Sequence, residues 1–150
     1  AVEVGVREAM ARGLLGGHFV VDIEVVLLDG STHFKDSSEL AFKIAGARAF
    51  QEAAADAAPV LLEPIMALEV TCLEAHVGAV VGDLGRRRGQ ILSKDVRGRE
   101  HVVCAEVPLC ETFGYASSLS ALTHGLGRFT QEPARYECAP AHLLERVTRA

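Results

Sequence analysis

Val2, Val6, Ala9 and Met10 recur along one face of the first segment and Gly13 follows them, a spacing that predicts a short helix from Val2 to a stop at Gly13. The next apolar run, Phe19 to Leu28 (FVVDIEVVLL), is rich in β-branched residues and closes on Asp29-Gly30. It reads as a strand that feeds an exposed loop through His33. Beyond the loop, Asp36 and Glu39 have the spacing of a capping box. The Ala-rich run to about Ala57 then predicts a long helix with Leu40, Ile44, Ala47 and Phe50 inward. Pro59 and Pro64 bracket its exit.

After Pro64 the period changes. Met66, Leu68, Val70 and Cys72 alternate with Ala67, Glu69 and Thr71, as in a half-buried strand. Val77, Val80, Val81 and Leu84 return to helical spacing, and Gly89 is the expected stop just after three consecutive arginines, whose charge suits a helix C-terminus. Residues 90–95 and 100–108 read as a hairpin around the basic turn DVRGRE, 117–124 as a helix stopped by Gly125, and 127–137 as a last strand. The terminal AHLLERVTRA, 141–150, predicts a short helix. The second unit therefore has the order β-α-β-β-α-β, the ferredoxin-like arrangement, and a boundary near Leu62 separates it from the first.

Composition narrows the class. The 150 residues are 49% hydrophobic but only 5% aromatic, without Trp, so the core is built from small aliphatic side chains in an α+β protein. No apolar run approaches the roughly 18 residues of a membrane span, and the first residues lack the basic-then-apolar layout of a secretory signal, the pattern of a soluble protein. Cys72, Cys104, Cys110 and Cys138 show no zinc-type spacing, nor do the six dispersed histidines. Reduced structural thiols and no metal site are the expectation.

Charge is uneven. Arg86, Arg87, Arg88, Lys94, Arg97 and Arg99 face one acid, Asp95, so this stretch carries about +5 within a chain of net charge −5. Arginine forks match phosphate oxygens, which opens an RNA-contact reading; a solvated helix end is the plainer alternative. Phe113 and Tyr115 fit either base stacking or the core, and His33 on spacing alone is a loop histidine. Neither GxxxxGK[ST] nor GxGxxG is present, and Gly82 to Gly89 (GDLGRRRG) lies at a helix end, where the dipole opposes phosphate binding. GxSxG and HExxH are absent too, so no hydrolase motif supports an enzyme reading of this chain.

Four blocks carry a resemblance: DSSELAFKIAGARAFQEA (36–53), PVLLEPIMALEV (59–70), GDLGRRRG (82–89) and VPLCETFGYASSLSALTHG (107–125). In order and almost end to end they resemble the C-terminal region of elongation factor G, a translational GTPase. The resemblance implies that residues 1–62 are the second half of the family's fourth domain, a partial βαβ-type unit. Residues 63–150 would be its fifth, ferredoxin-like domain with a C-terminal extension after about 143.

It further implies a ribosome-contacting part of a factor that moves tRNA and mRNA in a GTP-dependent way, with GTP and Mg²⁺ held in a G domain outside this chain and no cofactor within it. The family motif GSxH falls on Gly30, Ser31 and His33, which places these at a tip that enters the decoding region. Arg86, Arg87 and Arg88 fall where the family contacts rRNA and the stalk-base protein or braces neighbouring domains. Implied partners are the ribosome's rRNA, the tRNA–mRNA pair and that stalk-base protein, without membrane or DNA, in a bacterial cytoplasm or an organellar matrix or stroma.

Departures from the family pattern matter as well. Ser120 and Leu126 stand where the family usually has arginine, which lowers phosphate affinity there. Gln131-Glu132-Pro133 replaces a usual MEF, so the last strand should be an edge or should break at the proline. These changes leave room for a diverged paralogue or a stand-alone ribosome-binding module of recycling or regulatory type, without translocase activity.

Overall fold

Alternation in the second unit becomes a strand where expected. β1 (Leu62–Leu73) buries Met66, Leu68, Val70 and Cys72 on one face. The computed structural model describes residues 1–148, and the chain divides into two units: residues 1–61 with the segment from 139 onward, and residues 62–138. In the latter, β1 is followed by α3 (Glu74–Arg86), β2 (Gln90–Arg97), β3 (Glu100–Pro108), a single turn α4 (Leu109–Thr112), α5 (Tyr115–Thr123) and β4 (Arg128–Cys138). The four strands form one sheet in the order β2-β3-β1-β4, each neighbouring pair antiparallel. Val80 and Leu84 of α3 and Tyr115 and Leu119 of α5 join the buried strand residues in one core. The class is α+β and this unit is ferredoxin-like.

Pro133 acts as its chemistry requires. It cannot donate to a ladder, β4 is an edge strand, and the β1–β4 register slips between Ile65 and Met66, opposite Arg135 and Pro133, so that Ala134 is left unpaired.

Both helix stops shift by one residue from the glycine expected. At the end of α3, Arg88 takes the left-handed conformation (φ 59°), while the Arg88 and Gly89 amides donate to Gly85 O at 3.2 Å and Leu84 O at 2.8 Å. This is a Schellman ending with arginine in the position that glycine usually fills. Gly89 is needed instead for closeness: a Cβ there would lie 2.6 Å from Leu84 O. After α5, His124 takes the left-handed position (φ 53°) and the Gly125 amide donates to Ser120 O at 2.8 Å.

The first unit departs further from expectation. α1 (Val2–Arg12) and α2 (Glu39–Asp56) form as predicted, and Val6, Ala9 and Phe50 make a small core between them. Residues 19–28, expected to be a strand, are not in one: among the described residues they find no ladder partner, and an unpaired strand does not satisfy its backbone. Val20 packs against the small core of α1 and α2, while the other hydrophobic side chains from Phe19 to Leu28, the last of them 91% exposed, remain in solvent. The expected βαβ-type unit is therefore two helices joined through a long non-ladder segment, followed by α6 (Ala141–Thr148) of the predicted terminal helix, whose residues 149–150 lie outside the described residues.

The cap of α2 is not Asp36 but Ser38, whose Oγ accepts from the Ala41 amide at 3.1 Å. Leu40 and Ile44, expected inward, are 64% and 46% exposed, because α1 covers the Gly46 and Phe50 side of α2 and not theirs.

Close approach sets the α1–α2 contact. A Cβ on Gly5 would lie 1.9 Å from Lys43 O, and one on Gly46 would lie 2.9 Å from Val2 O. Replacing a helical glycine by alanine gains up to about 1 kcal/mol of propensity. Overpacking costs about 1–3 kcal/mol, and here the obstacle is backbone, which cannot rotate away. Gly5→Ala is therefore expected to lower the thermal stability of the first unit. Gly78→Ala, on α3 with open space around it, should raise that of the second. Thermal unfolding followed by circular dichroism reads both signs.

Candidate functional site

The loop that carries Gly30, Ser31 and His33 ends in a turn closed on itself. The His33 amide donates to Ser37 Oγ at 2.7 Å, and the Asp36 and Ser37 amides donate to His33 O at 3.2 and 3.0 Å. Ser38 then caps α2, so the turn is continuous with a helix start. At its apex the His33 Nδ1 lies 2.9 Å from Asp36 Oδ2, with both side chains largely in solvent. Phe34 is 90% exposed, with its ring 5.6 Å from the imidazole, and the Lys35 ammonium lies 5.4 Å from the Phe34 ring centre. Gly30 and Ser31 are exposed and precede the turn, and the Gly30 amide bonds Asp29 Oδ1 at 2.7 Å. The motif residues and a small cluster of polar and aromatic side chains are thus gathered at one exposed loop.

The three arginines of the second unit do not act as one patch. Arg87 turns inward: its Nε donates to Asp83 Oδ2 at 2.8 Å, its Nη1 to Glu111 O and its Nη2 to Ser118 Oγ, each at 2.7 Å, with the guanidinium 5.2 Å from the Tyr115 ring centre. Arg88 grips both carboxylate oxygens of Glu63, a residue only 8% exposed at the start of β1. That bond, outweighing burial, raises the affinity of Arg88 for its proton, so the guanidinium stays charged. Arg86 alone is exposed, bonded weakly to Gly82 O at 3.4 Å.

The rest of the basic run is likewise divided. Arg97 pairs with Glu69 at 3.2 Å, whereas Lys94 and Arg99 are exposed and form no ion pair among the described residues. Arg86 and Arg99 flank opposite ends of β2, an eight-residue strand roughly 23 Å long. A contiguous sequence run is therefore dispersed in space, with Arg86 and Arg99 beyond the two ends of the strand and Lys94 within it. On the sheet, further cations are paired: Arg128 with Glu100 at 2.7 and 2.6 Å, and Arg135 with Glu106 and Glu137.

The other sequence candidates separate cleanly. Tyr115 is a core residue in edge-to-face contact with Phe129 at 4.9 Å, while Phe113 is exposed. All four cysteines are free, but only Cys72 is buried, with burial pushing its thiol up; Cys110 and Cys138 are exposed, contrary to the expectation of structural thiols. Among the described residues no group of three or more metal-ligating side chains forms, and no helix is long and apolar enough to cross a membrane. Sequence reasoning missed Glu63 as the partner of Arg88 and Asp36 as the partner of His33. For Asp36 the i,i+3 spacing to His33 is a usable signal; for Glu63, 25 residues away from Arg88, there is none.

Fold and site together define an α+β protein in which a ferredoxin-like unit follows a helical unit with an exposed, hydrogen-bonded loop tip. Family models agree in both halves: "Elongation factor G, domain IV" matches residues 1–58 and "Elongation factor G C-terminus" matches 60–147. The chain belongs to the elongation factor G family. It is 50% identical over 147 residues to the elongation factor G of Aquifex pyrophilus, a match that takes in 98% of this chain and 21% of that protein. A crystal structure from Thermus thermophilus superposes with a TM-score of 0.86 at 43% identity, over 99% of this chain and 22% of the other. The chain thus spans about a fifth of the length of each of these relatives.

The ion pairs give two expected outcomes. Arg88→Ala leaves the Glu63 carboxylate buried without its fork and keeps a non-glycine residue in the left-handed conformation, and should cost the second unit about 2–4 kcal/mol in urea unfolding. Arg88→Gly loses the same pair but relieves the backbone, and should cost about 1 kcal/mol less. The second concerns Glu100, held below the usual carboxylate range first by its bonds from Arg128. A depressed carboxyl favours the fold above its unfolded value, and that contribution disappears as pH falls through the folded value. Arg128→Ala should return Glu100 to the ordinary range in an NMR titration and flatten that part of the acid limb.

Proposed function

We propose that this chain works as the ribosome-contacting C-terminal part of an elongation factor G-type factor in the GTP-dependent movement of tRNA and mRNA. Residues 1–62 would serve as the later part of the fourth domain and residues 63–150 as the fifth with its extension. The observation that carries the reading is the loop tip: His33, within the family motif, stands exposed on a turn fixed by its own hydrogen bonds. A rigid tip can press on the sugar-phosphate backbone without reading base sequence, which movement of any codon requires.

GTP and Mg²⁺ belong, in this proposal, to a G domain elsewhere in the factor. The residues of the segment nearest to a phosphate loop do not fit them: the glycine-containing run 82–89 closes the C-terminal end of α3, where carbonyls and not amides face outward. The chain's part is contact and not bond-breaking. In the second unit, large-subunit rRNA and the stalk-base protein would meet Arg86, Lys94 and Arg99, whose charges are free of ion pairs among the described residues, with Arg87 and Arg88 bracing the fold behind them. A bacterial cytoplasm or an organellar matrix or stroma would house such a factor.

In a full-length factor carrying this segment, His33→Ala should slow tRNA movement by about tenfold or more while GTP hydrolysis stays within about twofold. Stopped-flow kinetics with fluorescent tRNA, run beside phosphate release, measures both. Equal loss of the two overturns the role given to the tip. Arg86→Ala with Lys94→Ala and Arg99→Ala should make ribosome binding less steep in salt, the log–log slope falling by up to about 0.7–0.9 for each phosphate that is no longer neutralised.

A further inference from the structure

An imidazole at a tip can present either ring nitrogen, and as either donor or acceptor, so a tip that acts reproducibly needs one of these forms selected. The His33–Asp36 pair supplies that selection. Asp36 Oδ2 lies 2.9 Å from Nδ1, within reach of a proton carried on that nitrogen. Nε2 has no partner among the described residues.

The turn fixes the carboxylate as well as the ring. The Asp36 amide donates to the His33 carbonyl at 3.2 Å, and Ser37 is bonded to His33 twice, its amide donating to the His33 carbonyl at 3.0 Å and its Oγ accepting from the His33 amide at 2.7 Å. Cβ atoms three residues apart are thereby held on the same side of one turn. An exposed pair of this kind contributes little net stability, and Asp36 is also not the cap of α2, a task that Ser38 performs. What a carboxylate at that distance favours is one form of the imidazole, with the proton on Nδ1 and the Nε2 lone pair left for a partner outside the protein.

We propose that Asp36 is a positioning residue that holds His33 as the Nδ1–H tautomer, so that neutral Nε2 accepts a hydrogen bond from a ribose 2′-hydroxyl of RNA. A 2′-hydroxyl is present at every RNA nucleotide whatever its base, and an acceptor recognises it without the desolvation of a second charge. The carboxylate behind the ring strengthens that acceptor, as carboxylates do behind histidines that bind metals. The RNA part of this inference rests on the tip reading given above; the tautomer part does not.

The two parts are tested separately. Long-range ¹H–¹⁵N correlation spectra of the 150-residue chain at about pH 8.5, where imidazoles are neutral, report the tautomer of His33 directly. The Nδ1–H form should dominate. Asp36→Ala should shift the population to Nε2–H, and Asp36→Asn, which keeps an acceptor oxygen, should largely restore Nδ1–H. Helix content, read by circular dichroism, should be unchanged in both variants because the Ser38 cap remains. A wild-type His33 that is already Nε2–H, or one indifferent to Asp36→Ala, overturns the proposal.

In the full-length factor, Asp36→Ala should slow tRNA movement by about the same factor as His33→Ala, the double variant should be no slower than either, and Asp36→Asn should recover most of the rate. Additive losses overturn the positioning role. If His33→Ala leaves movement unchanged while the spectra respond as expected, the tip reading fails and the tautomer lock stands.

Discussion

Arg88 occupies the left-handed backbone region, which disfavours a non-glycine residue by about 1–2 kcal/mol, and the Glu63 carboxylate is what this conformation brings within reach. Glu63 lies almost fully buried at the start of β1, where an unpaired carboxylate would be far more costly than the backbone strain. The two unfavourable terms offset each other: the strained turn delivers a cation, and the cation neutralises a buried anion. One residue earlier, Arg87 ties the same helix end to α4 through Glu111 O and to α5 through Ser118 Oγ. The end of α3 is therefore the joint at which β1, α4 and α5 are held, and the triple arginine is first of all an architectural element.

That conclusion changes how the charge of the chain is understood. A run with about +5 in fourteen residues suggests one basic surface, yet folding distributes it between ion pairs and cations spread along a strand and beyond its two ends. Arg97, Arg128 and Arg135 continue the theme on the sheet, each matched to a glutamate across or along the strands. Pairing cations with carboxylates at close range removes them as long-range attractors for polyanion, because the paired field falls off faster than that of a free charge. What would remain for the proposed RNA partner is a few separated cations, and the absence of arginine at positions 120 and 126 points the same way. In the proposed role, position and not total charge would have to carry recognition.

Legibility in the sequence follows the physics of each element. The second unit is readable because its strands alternate over a sheet with helices on one face, so that period two and period 3.6 appear in their pure forms. Pro133 can be placed on an edge for the same reason: a missing N–H is a local fact. Residues 19–28 mislead because β propensity measures fit to a neighbouring strand, and among the described residues that neighbour is not there. Leu40 and Ile44 fail for the related reason that an apolar face predicts burial only where something covers it. The cap of α2 is misplaced because Asp36, Ser37 and Ser38 are all competent N-caps and only the backbone selects among them; Asp36 is instead taken by His33. His33 itself becomes visible through resemblance and not through spacing, whereas Glu63 gives no local sign at all.

In the proposed role, the two units would solve one mechanical problem by different means. A side chain that must meet RNA at a fixed place needs its backbone held by bonds that do not depend on the partner, since ordering a loop at the moment of contact subtracts from the affinity gained. At the His33 tip the holding is local: three hydrogen bonds within five residues and a capped helix directly behind. In the second unit it is long-range, with guanidinium forks reaching 24, 31 and 25 residues away to Glu111, Ser118 and Glu63. Local holding suits a protruding loop that has little protein around it, and distant holding suits a helix end enclosed by strands. In the second unit, arginines that sequence alone opens to an RNA partner are used to hold the fold, and at the tip Asp36, which sequence assigns to a helix cap, stands beside His33. A residue's fitness to touch RNA therefore has to be judged from what its hydrogen-bonding atoms are already doing, and by that measure His33 Nε2, Arg86, Lys94 and Arg99 retain capacity while Arg87 and Arg88 do not.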